Sequence, residues 1–416
     1  MRQPRTFYCG VSALVQPQAD EGSSENPLSV TENAAMVVEG GTVVAAGPRA
    51  MVESAPEYNG AEHCDLNGRA VLPGFVDSHT HLVFGEERVD EMARRARGES
   101  YQQIAAAGSG IMSSAASIES HSVDSLVSLA AQRAERLLDC GTTTVEVKTG
   151  YGMSTELELR MVEVIEALKT ALEQDVRGTL LAHVIHPEFR HPDRRAEYID
   201  RFMNEVMEPV AKCGVVDYFD CFVDRGAFSP NEARSMGISA KELGWRLKYH
   251  VAQFEEDGGA ALCAELGALS ADHLECVGHE GRTLLGQAGV VATVLPGCSA
   301  FLGAGWANAR ALRDAGCEVA IATDFNPGSA HVVDLALCGT LSASQCGLSL
   351  EEALWGVTRG GAKALDLQDR GRLVPGERAD FLVLDHSDWR SVFYHLGRAP
   401  LAAVAIEGRI VRGSVN

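Results

Sequence analysis

The sequence predicts an α/β protein: a (β/α)8 TIM barrel with a small β-sandwich subdomain built from both chain termini. Two observations indicate this class. Short apolar strands alternate with helical patterns eight times in the middle of the 416-residue chain, and β-hairpin patterns stand near both ends. A doubly wound parallel sheet is the structural alternative, because it also alternates strands with helices.

The predicted subdomain begins with the N-terminal strands. The stretch AAMVVEGGTVVAAG (34–47) is typical of two strands joined at a Gly-Gly turn. Near the other end, residues 379–385 form a strand pattern, and residues 402–413 form a second hairpin that turns at Glu407-Gly408. We expect these segments to pair. This assigns residues 1–69 plus 372–416 to the subdomain and residues 70–371 to the barrel.

The barrel strands are expected where short apolar runs end in polar residues. Helical patterns such as 124–140 and 154–174 separate them. Because the chemistry of such barrels lies at the C-terminal ends of the strands, functional residues are expected there. The predicted strands are 70–77, 143–148, 179–184, 216–222, 245–250, 268–274, 290–295 and 318–324.

Composition and charge exclude several classes of partner. The chain has 36 Lys and Arg against 57 Asp and Glu, a net charge of −21 that disfavours nucleic acids and anionic membranes. Its 11 cysteines contain no C-x-x-C pair and suggest reduced thiols. The N-terminal residues lack a signal-peptide pattern, and no apolar run reaches the roughly 18 residues that cross a bilayer. We therefore expect a cytoplasmic protein without nucleic-acid or membrane partners.

The end of the first predicted barrel strand carries a pair of histidines. In an extended segment, residues two apart share a face, so His79 and His81 can converge on one point while Thr80 points away. This pair alone is weak evidence for a metal, since two hydrogen-bonded or surface histidines give the same pattern.

Other strand ends strengthen the case for a metal. His183, His250, His273 and Asp324 all fall at or near predicted strand C-termini. Three imidazoles and one carboxylate suit Zn²⁺ or first-row iron. A hydrolytic metal site also needs a proton acceptor and a charge stabiliser, roles that suit Asp324 and His273. A structural histidine in the turn after strand six is the alternative for His273.

These motifs resemble the amidohydrolase superfamily, whose members share the order P-G-F-V-D-S-H-T-H followed by residues matching His250, His273 and Asp324. The resemblance implies a metal-dependent barrel with a terminal β-sandwich. Within the superfamily, the imidazolonepropionase family is the most similar, which implies hydrolysis of 4-imidazolone-5-propanoate to N-formimidoyl-L-glutamate in histidine degradation. The stretches that carry this similarity are HTHLVFGEER (79–88), EVKTGYGM (146–153), AHVIHPEF (182–189), SADHLE (270–275) and ATDFNPGS (322–329).

The resemblance implies a ligand set of His79, His81, His250 and Asp324, holding one Zn²⁺ or Fe³⁺ per chain, with Asp324 and His273 as catalytic residues. It also implies a homodimer. Dinuclear relatives use a carboxylated lysine at the end of strand four. In this chain Lys148 ends predicted strand two instead, so we expect a mononuclear centre.

The resemblance also implies a set of contacts to a small-molecule substrate. An arginine fork binds a carboxylate bidentately, which suits Arg88 for the propionate. Gly150 and Gly152 permit a turn that aims Tyr151 inward. The alternatives are a solvated arginine and ordinary turn residues. The implied substrate-binding residues are Arg88, Tyr151, His183, Gln253, Asn326, Gly328 and Ser329.

The sequence departs from the family pattern at two places. The family's Gly-rich segment is followed by an arginine, whereas residues 108–122 contain none, which leaves open whether this chain makes the accessory substrate contact. Gln253 cannot act as a base, so proton transfer must depend on Asp324 and His273.

Two other functions compete with this interpretation. A nucleobase deaminase would share every metal ligand, but a nucleobase lacks the carboxylate that Arg88 would bind. A barrel that serves only as a scaffold would be expected to lose metal ligands, and all four are present here.

Overall fold

The structure is a computed structural model that describes residues 4–19, 26–99, 103–104 and 108–415. The predicted subdomain segments therefore extend beyond the described residues at 1–3, 20–25 and 416. Within the described residues the strands, in chain order, are β1 (Arg5–Pro17), β2 (Leu28–Glu39), β3 (Thr42–Pro48), β4 (Glu62–Pro73), β5 (Phe75–Asp77), β6 (Thr142–Lys148), β7 (Asp175–Ala182), β8 (Tyr218–Val223), β9 (Arg246–Val251), β10 (Ser270–His273), β11 (Val291–Val294), β12 (Val319–Ile321), β13 (Phe381–Leu384), β14 (Leu401–Ile406) and β15 (Arg409–Gly413).

The two chain ends form one mixed sheet of seven strands, in the order β15-β14-β13-β4-β1-β2-β3. Both predicted hairpins are confirmed: β2 pairs with β3, and β14 pairs with β15. Glu407 and Gly408 turn the second hairpin with φ of 50° and 74°. The sheet curls on itself, because Val38 and Val43 from one edge share an apolar core with Phe381 and Ala405 from the other half. This confirms the terminal β subdomain.

The middle of the chain forms the predicted barrel. Strands β5 to β12 are parallel and neighbour one another in chain order, which a doubly wound sheet would not do. The barrel closes between its first and last strands, where Thr80 bridges Phe325 and the His81 N–H donates to the Phe325 carbonyl at 2.8 Å. The C-terminal ends of all eight strands therefore surround one mouth.

The predicted first barrel strand, 70–77, is wrong as a single element. Residues up to Pro73 belong to β4 in the terminal sheet, and only Phe75–Asp77 form the barrel strand β5. The chain changes sheets at Gly74, where an added Cβ would lie 2.3 Å from Thr143 Oγ1. Glycine is the residue that permits this close approach.

Helices cover the outside of the barrel, and serines cap the two predicted ones: Ser122 accepts from the Ser125 N–H and Ser154 from the Leu157 N–H. None of the described helices is both long and apolar enough to span a bilayer. The α-helices are α1 (Arg49–Ser54), α2 (Val89–Ala96), α3 (Ile111–Ser120), α4 (Val123–Asp139), α5 (Thr155–Ala171), α6 (Pro192–Arg201), α7 (Glu208–Cys213), α8 (Pro230–Glu242), α9 (Gly259–Leu266), α10 (His279–Ala288), α11 (Pro296–Leu302), α12 (Ala309–Asp314), α13 (Leu335–Gln345), α14 (Leu350–Trp355) and α15 (Gly361–Ala364). Short π-helical turns span Phe202–Met207 and Gly356–Gly360, and 3-10 turns span Pro56–Tyr58, Pro187–Phe189 and Trp389–Phe393.

Candidate active site

The predicted metal ligands converge at the barrel mouth. His79 and His81 follow β5, His250 lies in β9, and Asp324 follows β12. The His79 and His250 rings have centroids 4.3 Å apart. Oδ1 of Asp324 lies 3.4 Å from His81 Nε2 and 3.6 Å from His79 Nε2. All four residues are at most 2% exposed. The geometry therefore brings together the three imidazoles and the carboxylate that the sequence suggested.

Two of these imidazoles each have a further carboxylate behind them. His79 Nδ1 lies 2.6 Å from Asp272 Oδ2, and His250 Nδ1 lies 3.0 Å from Asp220 Oδ2. Such partners fix the tautomer and turn Nε2 towards a metal. In the part of the chain that the structure describes, Nε2 of His79 and of His250 is buried and has no hydrogen-bond partner. A cation is the group that this arrangement fits.

The barrel interior below the site is charged. The Lys148 ammonium donates to Glu146 Oε1 at 2.6 Å and to Asp220 Oδ2 at 2.8 Å, and all three side chains are fully buried. Burial alone would lower the pKa of Lys148, but the two carboxylates outweigh it and raise that pKa. Lys148 is therefore held as an ammonium behind Asp220, and a mononuclear centre stays a prediction.

His273 stands beside the convergent ligands on a strained backbone, with φ of 85°. Its Nδ1 faces Oε1 of Glu275 at 3.5 Å, and the two side chains are 3% and 5% exposed. Burial lowers the pKa of His273, but the carboxylate of Glu275 outweighs it, so that the pKa is raised. Sequence reasoning missed Glu275, although it lies in the SADHLE motif.

A narrow cavity of about 60 Å³ opens from the ligand cluster. All of the predicted substrate-binding residues except Gly328 line it. Its lining consists of His81, Arg88, Ile111, Tyr151, His183, Phe222, His250, Gln253, Phe254, His273, Asp324, Asn326 and Ser329.

Arg88 is buried at this cavity and is not a solvated surface arginine. Its Nε and Nη2 donate to the two carboxylate oxygens of Glu91 at 2.9 and 2.6 Å. Glu91 also accepts the Gly110 N–H at 2.7 Å, which joins the Gly-rich segment to the site. Gly328 packs against the guanidinium, since an added Cβ would lie 2.2 Å from Arg88 Nη1. The sequence analysis missed Glu91, for which the i, i+3 spacing from Arg88 on a helix was the available signal.

Tyr151 is held by a loop that a buried carboxylate organises. Glu158 accepts the backbone N–H groups of Gly150, Gly152 and Met153 at 3.1, 2.7 and 3.3 Å. The Tyr151 ring then lies 5.7 Å from that of His81, measured between centroids. Sequence reasoning missed Glu158, because only the folded loop brings these N–H groups together.

His183 packs its ring against His81, with centroids 5.6 Å apart and the planes within 22° of each other. Burial, followed by the neighbouring imidazoles, lowers its pKa well below the usual value, so it is neutral near pH 7. A neutral imidazole can donate from one nitrogen and accept at the other.

The loop after β12 is held by its own side chains. The Asn326 Nδ2 donates to the Asp324 carbonyl at 2.7 Å and to Ser329 Oγ at 2.9 Å, while Oδ1 accepts the Gly328 N–H at 2.8 Å. Asn326 and Ser329 therefore shape the cavity wall. Across the cavity, Gln253 donates from Nε2 to Cys298 Sγ at 3.4 Å. Contact of these residues with substrate stays a prediction.

Comparison with known proteins agrees with this geometry. The model of the Amidohydrolase family matches residues 70–411. The chain is 40% identical over 405 residues to an imidazolonepropionase from Deinococcus radiodurans, covering 97% of this chain and 98% of that protein. It is 41% identical over 407 residues to an imidazolonepropionase from Rubrobacter xylanophilus, covering 96% and 97%. The crystal structure of a triazine hydrolase variant shares the fold, with a TM-score of 0.77 at 19% identity over 99% of this chain and 95% of that one.

Proposed function

This chain belongs to the amidohydrolase family and, within it, to the imidazolonepropionases, and from that premise we infer that it hydrolyses the cyclic amide of 4-imidazolone-5-propanoate to N-formimidoyl-L-glutamate. The observation that carries this inference is one cavity lined by both a metal-binding cluster and a buried arginine. The cluster suits amide hydrolysis, and the arginine suits the propionate. A nucleobase deaminase is not favoured, because a nucleobase has no carboxylate for Arg88 to bind.

The ligand set fits one Zn²⁺ or iron ion per chain. Ligand atoms of His79, His81 and Asp324 lie within 4.8 Å of one another, and His79 also lies within 4.8 Å of His250 in a group with His273. His79, His81, His250 and Asp324 together offer three nitrogens and one oxygen, a set that both metals accept. When bound, such an ion polarises the substrate carbonyl and lowers the pKa of water. The buried Nε2 atoms of His79 and His250, each with a carboxylate behind the opposite nitrogen, support this assignment.

Asp324 is the proposed proton carrier. It accepts a proton from the attacking water and returns it to the ring nitrogen as the C–N bond breaks. Burial raises the pKa of Asp324, but the hydrogen bond from His81 and the charge of His273 outweigh it and lower that pKa, so the carboxyl is ionised before the reaction. Gln253 contributes only a hydrogen bond to the ring edge.

His273 is proposed to donate a hydrogen bond to the oxyanion that forms on the attacked carbonyl. Glu275 supports this role, because its carboxylate 3.5 Å from Nδ1 stabilises the imidazolium form, in which Nδ1–H faces Glu275 and Nε2–H can donate to the oxyanion. Tyr151 and His183 would orient the ring, and neither would transfer a proton.

Arg88 is proposed to bind the propionate. Its Nε and Nη2 donate to Glu91, which holds the guanidinium at the cavity where a substrate carboxylate would meet it. Glu91 fixes the fork in place and lowers the entropy cost of forming the ion pair. The Asn326–Ser329 loop would close the other side of the cavity.

Turnover of freshly prepared imidazolone propionate by the purified protein tests the proposal, with loss of its ultraviolet absorbance as the readout. We expect saturable turnover that a chelator abolishes and added Zn²⁺ or iron restores. An analogue without the carboxylate serves as the control substrate. Equal turnover of both compounds, or turnover that survives complete metal removal, would contradict the proposal.

We further propose a cytoplasmic location and a homodimer. All 11 cysteines are free of disulfides, which suits a reducing compartment. The homodimer is supported only by the family resemblance, and light scattering of the purified protein would test it.

A further inference from the structure

We propose that His273, Glu275 and Cys298 form a second, inhibitory site for a thiophilic divalent cation such as Zn²⁺, next to the catalytic ligands but sharing none of them. One ligand atom from each residue lies within 4.8 Å of the other two. His273 ends β10, Glu275 follows it, and Cys298 lies in α11. All three side chains are almost fully buried.

The cluster contains polar atoms that lack partners. Across the described residues, His273 Nδ1 and Glu275 Oε2 are buried and make no hydrogen bond. The other carboxylate oxygen, Oε1, accepts from Ser299 Oγ at 3.4 Å. Buried polar atoms without partners cost free energy, so each needs an explanation. A cation that binds the imidazole, the carboxylate and the thiolate would satisfy both orphaned atoms.

The spacing suits a small tetrahedral ion. Ligand atoms 2.0–2.3 Å from zinc stand about 3.3–3.8 Å from one another. His273 Nδ1 and Glu275 Oε1 are 3.5 Å apart, which lies in this range, and the Cys298 thiol lies within 4.8 Å of a ligand atom of each. Water would complete the coordination.

The donor set selects the metal. A thiolate prefers Zn²⁺ or Cd²⁺ to Mg²⁺ or Mn²⁺. Binding forms the metal–sulfur and metal–Nδ1 bonds, breaks the S–H bond of Cys298 and the N–H bond at Nδ1 of the His273 imidazolium, and releases both protons to solvent.

Occupation of this site would inhibit the enzyme. The cation would take Nδ1 of His273 and the carboxylate that faces it, which removes the contact that orients the ring. Binding of the second ion does not depend on the proposed function, whereas its inhibitory effect does. The two claims therefore need separate measurements.

The binding experiment uses holoenzyme that carries its first metal equivalent, titrated with Cd²⁺ or Zn²⁺ under equilibrium dialysis. We expect one further bound equivalent, with a sulfur-to-cadmium charge-transfer band, because the proposed catalytic ligands include no sulfur. Cys298→Ser should lose the band and raise the Kd of the second ion about tenfold or more. Loss of a residue that only supports a metal ligand already weakens metal binding by that factor. Cys276→Ser is the matched control. This exposed thiol lies next to Glu275, and its replacement should change neither the charge-transfer band nor the Kd of the second ion.

The kinetic experiment compares each variant with its own uninhibited rate. Excess Zn²⁺ should inhibit the wild type, and the half-inhibiting concentration should rise about tenfold or more in Cys298→Ser. Mn²⁺ at the same concentrations should not inhibit.

A second equivalent without a sulfur band, or no second equivalent at all, would overturn the site. If Cys298→Ser does not fold, the wild-type band and stoichiometry decide the matter. Absence of turnover would count against the proposed function and leave the binding result readable.

Discussion

At the scale of single residues, Arg88 is the side chain proposed to distinguish a substrate with a carboxylate from one without it. Removing one partner of a buried, charge-assisted ion pair costs roughly 2–5 kcal/mol. Arg88→Met should therefore lower kcat/KM for imidazolone propionate by about 30-fold or more. Turnover of an analogue that lacks the carboxylate should fall much less. Equal losses on both substrates would mean that Arg88, through its ion pair with Glu91, supports the fold instead.

Gly328 provides a second test of the same contact. A methyl group there would lie 2.2 Å from Arg88 Nη1, so Gly328→Ala must displace the guanidinium. We expect KM to rise and kcat to change little, because binding is disturbed and the ligand cluster is not. Gly305→Ala is the matched control, since an added Cβ there meets nothing within 4 Å. A normal KM in Gly328→Ala would show that the arginine does not contact the substrate.

Asp324 and Gln253 separate proton transfer from orientation. Asp324→Asn should lower kcat by several orders of magnitude even with metal loaded, because an amide cannot carry the proton. Gln253→Ala should cost about 1–2 kcal/mol, the value of one hydrogen bond. Both variants are compared at equal metal content, determined by elemental analysis. A nearly active Asp324→Asn beside an inactive Gln253→Ala would reverse the proposed roles.

At the scale of elements, the order of strands and helices was predictable, but the sheet to which a strand belongs was not. Seven predicted barrel strands overlap β6 to β12, because short apolar runs and Ser-capped helices are local signals. The run 70–77 has no polar residue before Asp77, so no periodicity marks the change of sheet at Gly74. Only the close approach to Thr143 in the folded chain places that boundary. The division into domains at residue 70 stays a prediction.

The loop between β6 and α5 offers a test at this scale. Glu158 uses Oε2 for the Gly150 N–H and Oε1 for those of Gly152 and Met153. Glu158→Gln keeps one acceptor and turns an NH₂ group towards a buried N–H, which should cost about 1–3 kcal/mol. We expect a lower melting temperature and, because Tyr151 is displaced, a higher KM. Glu156→Gln, an exposed carboxylate on the same helix, is the control. Unchanged KM in Glu158→Gln would mean that the loop does not position the substrate.

At the scale of the whole molecule, the barrel explains why the candidate site was so largely predictable. Parallel strands bring their C-terminal ends to one mouth, so residues as distant as His79 and Asp324 could be grouped from the sequence. The supporting carboxylate Asp272 could not be grouped in this way, because its contact with His79 joins two strands that are far apart in the sequence. Glu91 left a local signal in its i, i+3 spacing from Arg88, whereas the contacts of Glu158 depend on how the loop before its helix folds. The polar barrel interior around Lys148 is likewise a property of the folded sheet.

The metal should also stabilise the fold, since its proposed ligands join β5, β9 and β12 around the mouth. A ligand at about 1,000 times its Kd adds about 4 kcal/mol to the free energy of unfolding. Removing the ion with a chelator should therefore lower the melting temperature by several degrees while the circular dichroism of the folded state persists. His250→Ala should bind little metal, and chelation should shift its melting temperature far less than that of the wild type.

Because Lys148 is engaged by Glu146 and Asp220, we expect the tightly bound metal to be one equivalent per chain. Two equivalents that stay bound after dialysis against metal-free buffer, or equal chelation shifts in both proteins, would contradict the single catalytic centre.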